Sequence, residues 1–141
     1  MLLVYKINSM DLYIKHGENI LRLLEQSEHR SVFSNESLAE RDFHIGELIR
    51  KRGMMLYCVR ESIPVGLLIA EVRNQNEFGV LEFCLIPGTA DRVADVLFSQ
   101  LVKALHQREF RGIYCNHDWI LSVNNKAIAD KFTIRSDRKT L

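Results

Sequence analysis

The chain has 141 residues, of which 47% are hydrophobic and 26% are charged, as in one globular domain. This composition excludes a disordered tail, a collagen-like rod and a coiled coil. Lys and Arg number 19 and Asp and Glu number 18, so the net charge is +1 and the basic excess typical of nucleic-acid-binding proteins is lacking.

The cysteines and the apolar runs indicate a cytoplasmic protein. The three cysteines include no Cys-x-x-Cys pair and an odd number cannot all pair, which argues against a disulfide framework or zinc site: Cys58, Cys84 and Cys115. The apolar runs, such as 65–70, are far shorter than the ~20 residues of a membrane-spanning helix. The first residues lack the basic lead-in of a secretion signal. We therefore expect no metal and no membrane partner.

The first part of the chain alternates between β-rich and helical patterns. Residues 2–7 are apolar and β-rich, which predicts a strand. Apolar residues recur at helical spacing over 10–28, where Gly17 is placed to kink or split the helix. Ser34 and Asn35 offer an N-cap for a second helix that is expected to end near Gly53.

The rest of the chain predicts a meander, a crossover helix and a short end. Polar turns join the meander strands, which are predicted over 54–60, 65–73 and 78–86. An apolar stripe over 90–105 predicts the strongest helix. Because this helix is a crossover, the strand predicted at 112–115 should run parallel to the one before it. A short helix at 124–131 and a basic, polar end follow.

These elements predict a single α+β domain over residues 1–141. Its order is β-α-α-β-β-β-α-β-α, with room for one further edge strand. The central sheet is expected to be mixed and mostly antiparallel, with helices on both faces.

Several features of this order occur together in one known family. They are the Pro64-Val65-Gly66 start of a strand, a strand that ends at Pro87, an amphipathic helix, and an Asn-x-x-Ala-Ile helix. In this order the chain resembles the GNAT superfamily of acyl-CoA-dependent N-acetyltransferases over nearly its whole length. The best-matching positions are Gly66, Pro87, Asn124, Ala127 and Ile128.

The resemblance implies an acetyl-CoA site between the strands that end near Ile86 and Cys115. In the family, backbone amides at the start of the following helix cradle the pyrophosphate. The cofactor positions that this implies are Ile86, Gly88, Thr89, Arg92 and Asn124.

The phosphate loop departs from the family's pattern. The family's glycines fall here, in the ungapped register, on Asp91, Val93 and Asp95. The two carboxylates would repel a pyrophosphate, and Arg92 offers one compensating cation. A shifted register that uses Gly88 and Thr89 stays open.

The resemblance also implies catalytic residues. Glu82 lies on the strand 78–86, where the family carries a base that takes a proton from the acceptor amine. Strict alternation places Glu82 on the same face as Val80, Cys84 and Ile86, where burial is expected to raise its pKa. The alternative interpretation is that Glu82 faces solvent or pairs with an Arg or Lys. The family's acid, a Tyr, corresponds to Lys131 here, which leaves Tyr114 or Cys115 as replacements.

Three smaller patterns have competing interpretations. Cys115, His117 and Asp118 allow a nucleophile–base hypothesis, but a buried strand cysteine is more often a small hydrophobic residue. Trp119 either packs under its loop or anchors a partner. The remaining histidines are predicted to be isolated on helix surfaces: His16, His29, His44 and His106.

Two function hypotheses remain, and the departures favour the first. It is a binding or assembly module with a degenerate site and no cofactor, for example a bacteriophage virion component. The second is an acetyl-CoA-dependent N-acetyltransferase with Glu82 as base.

The family closes its sheet with two more strands, for which few residues remain. Residues 133–136 are therefore expected to cover the edge of the strand 112–115, in the same chain or in a neighbouring one. We expect self-association or a larger assembly, with Trp119 and 132–141 at the contact.

Overall fold

The computed structural model describes residues 2–26, 37–86, 90–115 and 133–135, without the side chains of residues 90, 91 and 133–135. These residues confirm the predicted α+β class. No helix among them is long and apolar enough to cross a membrane. The elements, in chain order, are β1 (Leu2–Lys6), α1 (Met10–Lys15), α2 (Gly17–Glu25), α3 (Leu38–Arg50), β2 (Met54–Arg60), β3 (Ile63–Asn74), β4 (Glu77–Leu85), α4 (Ala90–Gln107), β5 (Gly112–Tyr114) and β6 (Thr133–Arg135).

The strands form one six-stranded sheet in the order β1-β2-β3-β4-β5-β6. Antiparallel pairing joins β1 to β2, β2 to β3 and β3 to β4. After the crossover through α4, β5 pairs parallel to β4, and β6 pairs parallel to β5. The predicted meander and the predicted parallel strand are both confirmed.

The helical segment after β1 is broken at His16. Ser9 caps α1, because its side chain accepts a hydrogen bond from the Leu12 amide at 3.2 Å. His16 ends α1, and Gly17 begins α2, which ends at Glu25. The split predicted from Gly17 is therefore confirmed. The described part of the chain between β1 and β2 therefore holds three helices, as a split at Gly17 implies.

A capping box sets the start of α3. Ser37 Oγ accepts a hydrogen bond from the Glu40 amide at 3.2 Å, and Glu40 Oε1 accepts one from the Ser37 amide at 3.4 Å. These two bonds satisfy donors that a helix start leaves open. The predicted cap at Ser34 and Asn35 is wrong, since Ser37 is the N-cap. Those two residues lie outside the described residues.

The sheet separates two apolar cores. On one face, α4 packs against β2, β3 and β4, and the described residues of its stripe, from Val93 to Leu105, are fully buried as predicted. On the other face, α1, α2 and α3 pack against β2 and β3 through residues such as Ile20, Leu23 and Ile45. We call these the α4 face and the α1–α3 face of the sheet.

Gly66 allows the start of α4 to approach the backbone of β3. A Cβ atom at position 66 would lie 2.5 Å from Val93 Cγ1 and 3.0 Å from Leu97 Cδ1. The first of these distances is shorter than any normal carbon–carbon contact, so a larger residue would push the helix away. Glycine therefore fixes the first turns of α4 directly on the sheet.

The last described strand covers the edge of β5. β6 (Thr133–Arg135) pairs with β5 in the same chain, which confirms the strand predicted at this edge. The helix predicted at 124–131, Trp119 and residues 136–141 lie outside the described residues.

Candidate active site

A β-bulge in β4 determines the face on which Glu82 lies. Ile69 of β3 pairs with Glu82, whereas the next residue, Ala70, pairs with Val80, so Leu81 is an extra residue in β4. The bulge breaks the alternation of faces. Val80 belongs to the core of the α4 face, and Glu82 shares the α1–α3 face with its partner Ile69. The prediction that Glu82 and Val80 share a face is therefore wrong.

Glu82 is fully buried, with 0% exposure. Its cross-strand partner Ile69 and its same-face neighbour Cys84 both belong to the core of the α1–α3 face. The structure therefore excludes the solvent-facing alternative for this carboxyl group. Removal from water disfavours the charged form of a carboxyl group, which makes it a stronger proton acceptor once ionised. Buried carboxyl groups of this kind are candidates for acid–base chemistry.

Among the described residues, the pairing of β4 with β5 stops before it reaches Glu82. The two strands pair only at Glu77–Gly112, Phe78–Ile113 and Gly79–Tyr114. Beyond Gly79, β4 continues to Leu85, whereas β5 ends at Tyr114. The Ile86 amide donates a hydrogen bond to the Val65 carbonyl at 2.9 Å, so this end of β4 stays bound to β3. We call the space beyond the Gly79–Tyr114 pair the β4–β5 opening.

The start of α4 lies at the same end of the sheet as this opening. An 18-residue helix begins here, and its N-terminus attracts anions through open amides and the helix dipole. Arg92 is exposed in the first turn, and Asp95 is half-buried one turn later. Of the predicted cofactor positions, Ile86 and Arg92 are brought to this end. Gly88, Thr89 and Asn124 lie outside the described residues, as does the side chain of Asp91.

Tyr114 lies where β4 and β5 diverge, on the same face as Glu82. Phe78 and Ile113 form the preceding pair and belong to the α4 face, so Gly79 and Tyr114 point to the α1–α3 face. The Arg73 guanidinium lies 3.5 Å from the centre of the Tyr114 ring.

Arg73 in turn pairs with a buried acid. Its Nε lies 3.2 Å from Oε1 of Glu77, which is 6% exposed. We call these three side chains the Arg73–Glu77–Tyr114 cluster.

Cys115 does not have the properties of a nucleophile. It is fully buried, and burial raises the pKa of its thiol to about 12, which keeps the thiol protonated at neutral pH. This removes the nucleophile from the Cys115–His117–Asp118 hypothesis, and the latter two residues lie outside the described residues. In the described ranges, no group of three His, Cys, Asp or Glu side chains is arranged to hold a metal ion.

His16 joins an aromatic cluster rather than standing alone on a helix surface, as was predicted. Its Nδ1 shares a short hydrogen bond with the Tyr57 hydroxyl, and its ring lies 4.9 Å from that of Tyr5. Burial, with a smaller effect of Lys15, lowers the pKa of His16, and burial raises the pKa of Tyr57. Both neutral forms are favoured, and the cluster ties the junction of α1 and α2 to β1 and β2.

The sheet that opens between β4 and β5, with a helix that starts beside the opening, is the fold of the GNAT acetyltransferases. Comparison of the sequence alone finds no relative: no family model matches it, and no curated protein matches it significantly. The likeness is therefore one of structure.

Three solved structures show its extent. A predicted acetyltransferase from Clostridium acetobutylicum, solved with acetyl-CoA, matches with a TM-score of 0.64 and 9% identity over 100% of this chain and 94% of its own. An aminoglycoside acetyltransferase from an uncultured soil metagenomic sample matches with a TM-score of 0.63 and 14% identity, over 85% of this chain and 82% of its own. The ribosomal-protein-S18-alanine N-acetyltransferase from Escherichia coli matches with a TM-score of 0.60 and 13% identity, over 92% of this chain and 73% of its own. At these identities the likeness establishes the fold alone.

The bulge and the Arg73–Glu77–Tyr114 cluster were not predicted from the sequence. Arg73 and Glu77 flank the polar turn between β3 and β4, so nothing local marks them as site residues. One signal was available: Gly79 lies inside a strand, and such a glycine often marks the close approach of another group.

Proposed function

We propose that this protein is an acetyl-CoA-dependent N-acetyltransferase, with Glu82 as general base and Tyr114 as general acid. One observation carries the proposal: a fully buried carboxyl group lies on the part of β4 that borders the β4–β5 opening. Tyr114 lies at the apex of that opening, on the same face. The three cysteines form no disulfide, which suits a reducing compartment, so we propose the cytoplasm as its location.

The described residues fit acetyl-CoA at two points. The tight contact between Gly66 and Val93 holds the start of α4 beside the opening, where helix amides and Arg92 would bind phosphate. Ile86 borders the opening at the end of β4. Gly88, Thr89 and Asn124 remain predicted contacts. Asp91 and Asp95 weaken this site through charge repulsion, so we expect modest affinity.

The chemistry assigns one proton to each catalytic residue. Acetyl-CoA would supply an acetyl group activated as a thioester. Glu82 accepts the proton that the acceptor amine loses as its nitrogen bonds to the acetyl carbon, directly or through one water. As the carbon–sulfur bond breaks, Tyr114 gives its hydroxyl proton to the departing sulfur. Glu82 then releases its proton to solvent, and the Tyr114 phenolate regains one.

Titration with acetyl-CoA tests this proposal. A ligand that binds only the folded state stabilises it by ~4 kcal/mol at a thousandfold excess over its Kd. We expect calorimetric binding, a higher melting temperature, and release of free thiol when a pool of amines is added. The Asp91→Gly/Asp95→Gly double variant should bind more tightly, and the Glu61→Gln/Glu71→Gln double variant, at two exposed positions, serves as a charge-matched control. No melting shift at millimolar acetyl-CoA would contradict the proposal.

A second candidate is the non-catalytic binding or assembly module, for example a virion component. Exposed apolar side chains on the helical layer favour it: Ile14 is 73% exposed, Phe43 72% and Leu38 66%. Ile14 and Leu38 also line a cavity of about 230 Å³ between α1, α2 and α3. Such a module would self-associate or join a larger assembly, as light scattering would detect, and acetyl-CoA would leave its melting temperature unchanged.

A further inference from the structure

Arg73 crosses the surface of β4 at Gly79. A Cβ atom built at position 79 would lie 3.8 Å from Arg73 Cβ and 3.9 Å from Arg73 Cδ. The Arg73 side chain therefore passes directly over the glycine and reaches Tyr114, which is the partner of Gly79 in the β4–β5 register. Alanine at position 79 would make an ordinary contact with Arg73, whereas a branched side chain would occupy its path.

Two partners hold Arg73 in this position. Its Nε forms an ion pair with Glu77 Oε1 at 3.2 Å, and the Glu77 carboxylate is nearly buried. Its guanidinium stacks on the Tyr114 ring at 3.5 Å from the ring centre. A planar guanidinium can make both interactions at once, which an ammonium group cannot. The Arg73 side chain is 42% exposed and belongs to neither apolar core, so a substitution there opens no cavity in either core.

We propose that Arg73 is a positioning residue that fixes the Tyr114 ring for proton transfer. This inference rests on the proposed function, in which Tyr114 is the acid. Stacking sets the plane of the ring and with it the direction of the hydroxyl group. The positive charge above the ring also favours the phenolate that remains once Tyr114 has given its proton to the sulfur. Arg73 itself transfers no proton.

The contact can be tested without any activity. The four tyrosines are replaced by 3-fluorotyrosine, and the Tyr114 resonance in the ¹⁹F spectrum is assigned with Tyr114→Phe. We expect Arg73→Gln and Gly79→Val to shift this resonance in the same direction, because both remove the guanidinium from the ring. Gly79→Ala is the matched control and should leave the resonance in place.

The positioning role is tested by kinetics with acetyl-CoA and an amine. We expect Arg73→Gln to lower kcat by roughly 10–100-fold, as misplacement of a reacting group does, with an unchanged KM for acetyl-CoA. The basic limb of the pH profile of kcat should also move, because it reports the acid. Arg73→Lys, which keeps the charge but not the planar stack, should restore only part of the rate.

The outcomes separate this inference from the proposed function. The positioning role is overturned if the Tyr114 resonance has the same chemical shift in Arg73→Gln as in the wild type. It is also overturned if kcat and its pH profile are unchanged in that variant. A wild-type protein without transferase activity refutes the proposed function instead, and the positioning role is then withdrawn with it. In that case the ¹⁹F spectra still decide whether Arg73 holds the ring.

Discussion

The two faces of the sheet differ in chemistry although the same strands build both. The core of the α4 face consists of aliphatic and aromatic side chains with two cysteines and carries no charge. The α1–α3 face carries Glu82, the Arg73–Glu77–Tyr114 cluster and the His16–Tyr57 pair. Both faces therefore supply apolar packing, and among the described residues the α1–α3 face also holds the groups that can do chemistry.

The bulge at Leu81 creates this difference for the most important residue. In an uninterrupted strand, Glu82 would share the α4 face with Phe78 and Val80 and would enter an apolar core. The extra residue moves its side chain to the opposite face. A single inserted residue thus places the carboxyl group where polar chemistry is tolerated.

The largest expected effect is that of Glu82→Gln on catalysis. The amide keeps the shape of the side chain but cannot accept the proton, so kcat should fall by ~10²–10⁴-fold with acetyl-CoA affinity unchanged. Steady-state kinetics and calorimetry measure the two quantities. Glu71→Gln, at an exposed position on β3, is the control and should keep the wild-type rate. An active enzyme that is indifferent to Glu82→Gln would show that another group is the base.

An intermediate effect is expected on the α4 face from Gly66→Ala. The added Cβ atom would meet Val93 at 2.5 Å, so overpacking should lower the free energy of unfolding by ~1–3 kcal/mol. Urea denaturation measures this change, and Val93→Ala in the same chain should restore part of it.

Gly17→Ala is the matched control for this change, because no described atom beyond its chain neighbours and its own helix backbone lies within 4 Å of the added Cβ. If the two glycine variants lose equal stability, the tight seat of α4 on β3 is not the cause.

The smallest expected effect is a pH dependence from His16. Its pKa is lower in the folded state than its ordinary value of 6.5, so the unfolded chain takes up a proton first as the pH falls. Stability should therefore decline below about pH 6.5, where the imidazole loses its ability to accept a hydrogen bond from Tyr57. Melting temperatures of the wild type and His16→Phe, followed across this range, measure the difference. If the melting temperatures of the two proteins fall equally with pH, His16 is not the cause of the pH dependence.

The fold was predictable because its signals are periodic and repeated. The apolar stripe of α4 and the alternating strands β2 to β4 each predict their own element, and Gly17 predicts the helix break. Glu82 was found from the resemblance, but its face was not, because a bulge depends on the pairing of two strands rather than on one sequence. For the same reason the role of Arg73 could not be predicted from the sequence. It reaches Tyr114 through a register contact between residues 41 positions apart, which no local pattern contains.

The order of the strands in the sheet has a consequence for how the chain assembles. Each strand lies beside the one that precedes it in the sequence, so during synthesis a new strand adds to an edge that already exists. The meander β2 to β4 has short connections and can pair before α4 has emerged, whereas β1 joins it through a long helical connection and β5 and β6 must wait for later connections to close. The β4–β5 opening belongs to these late pairings. The part of the molecule proposed to do chemistry is therefore the last to form, and the partly made chain already holds Glu82 on a strand whose outer edge has no neighbour yet.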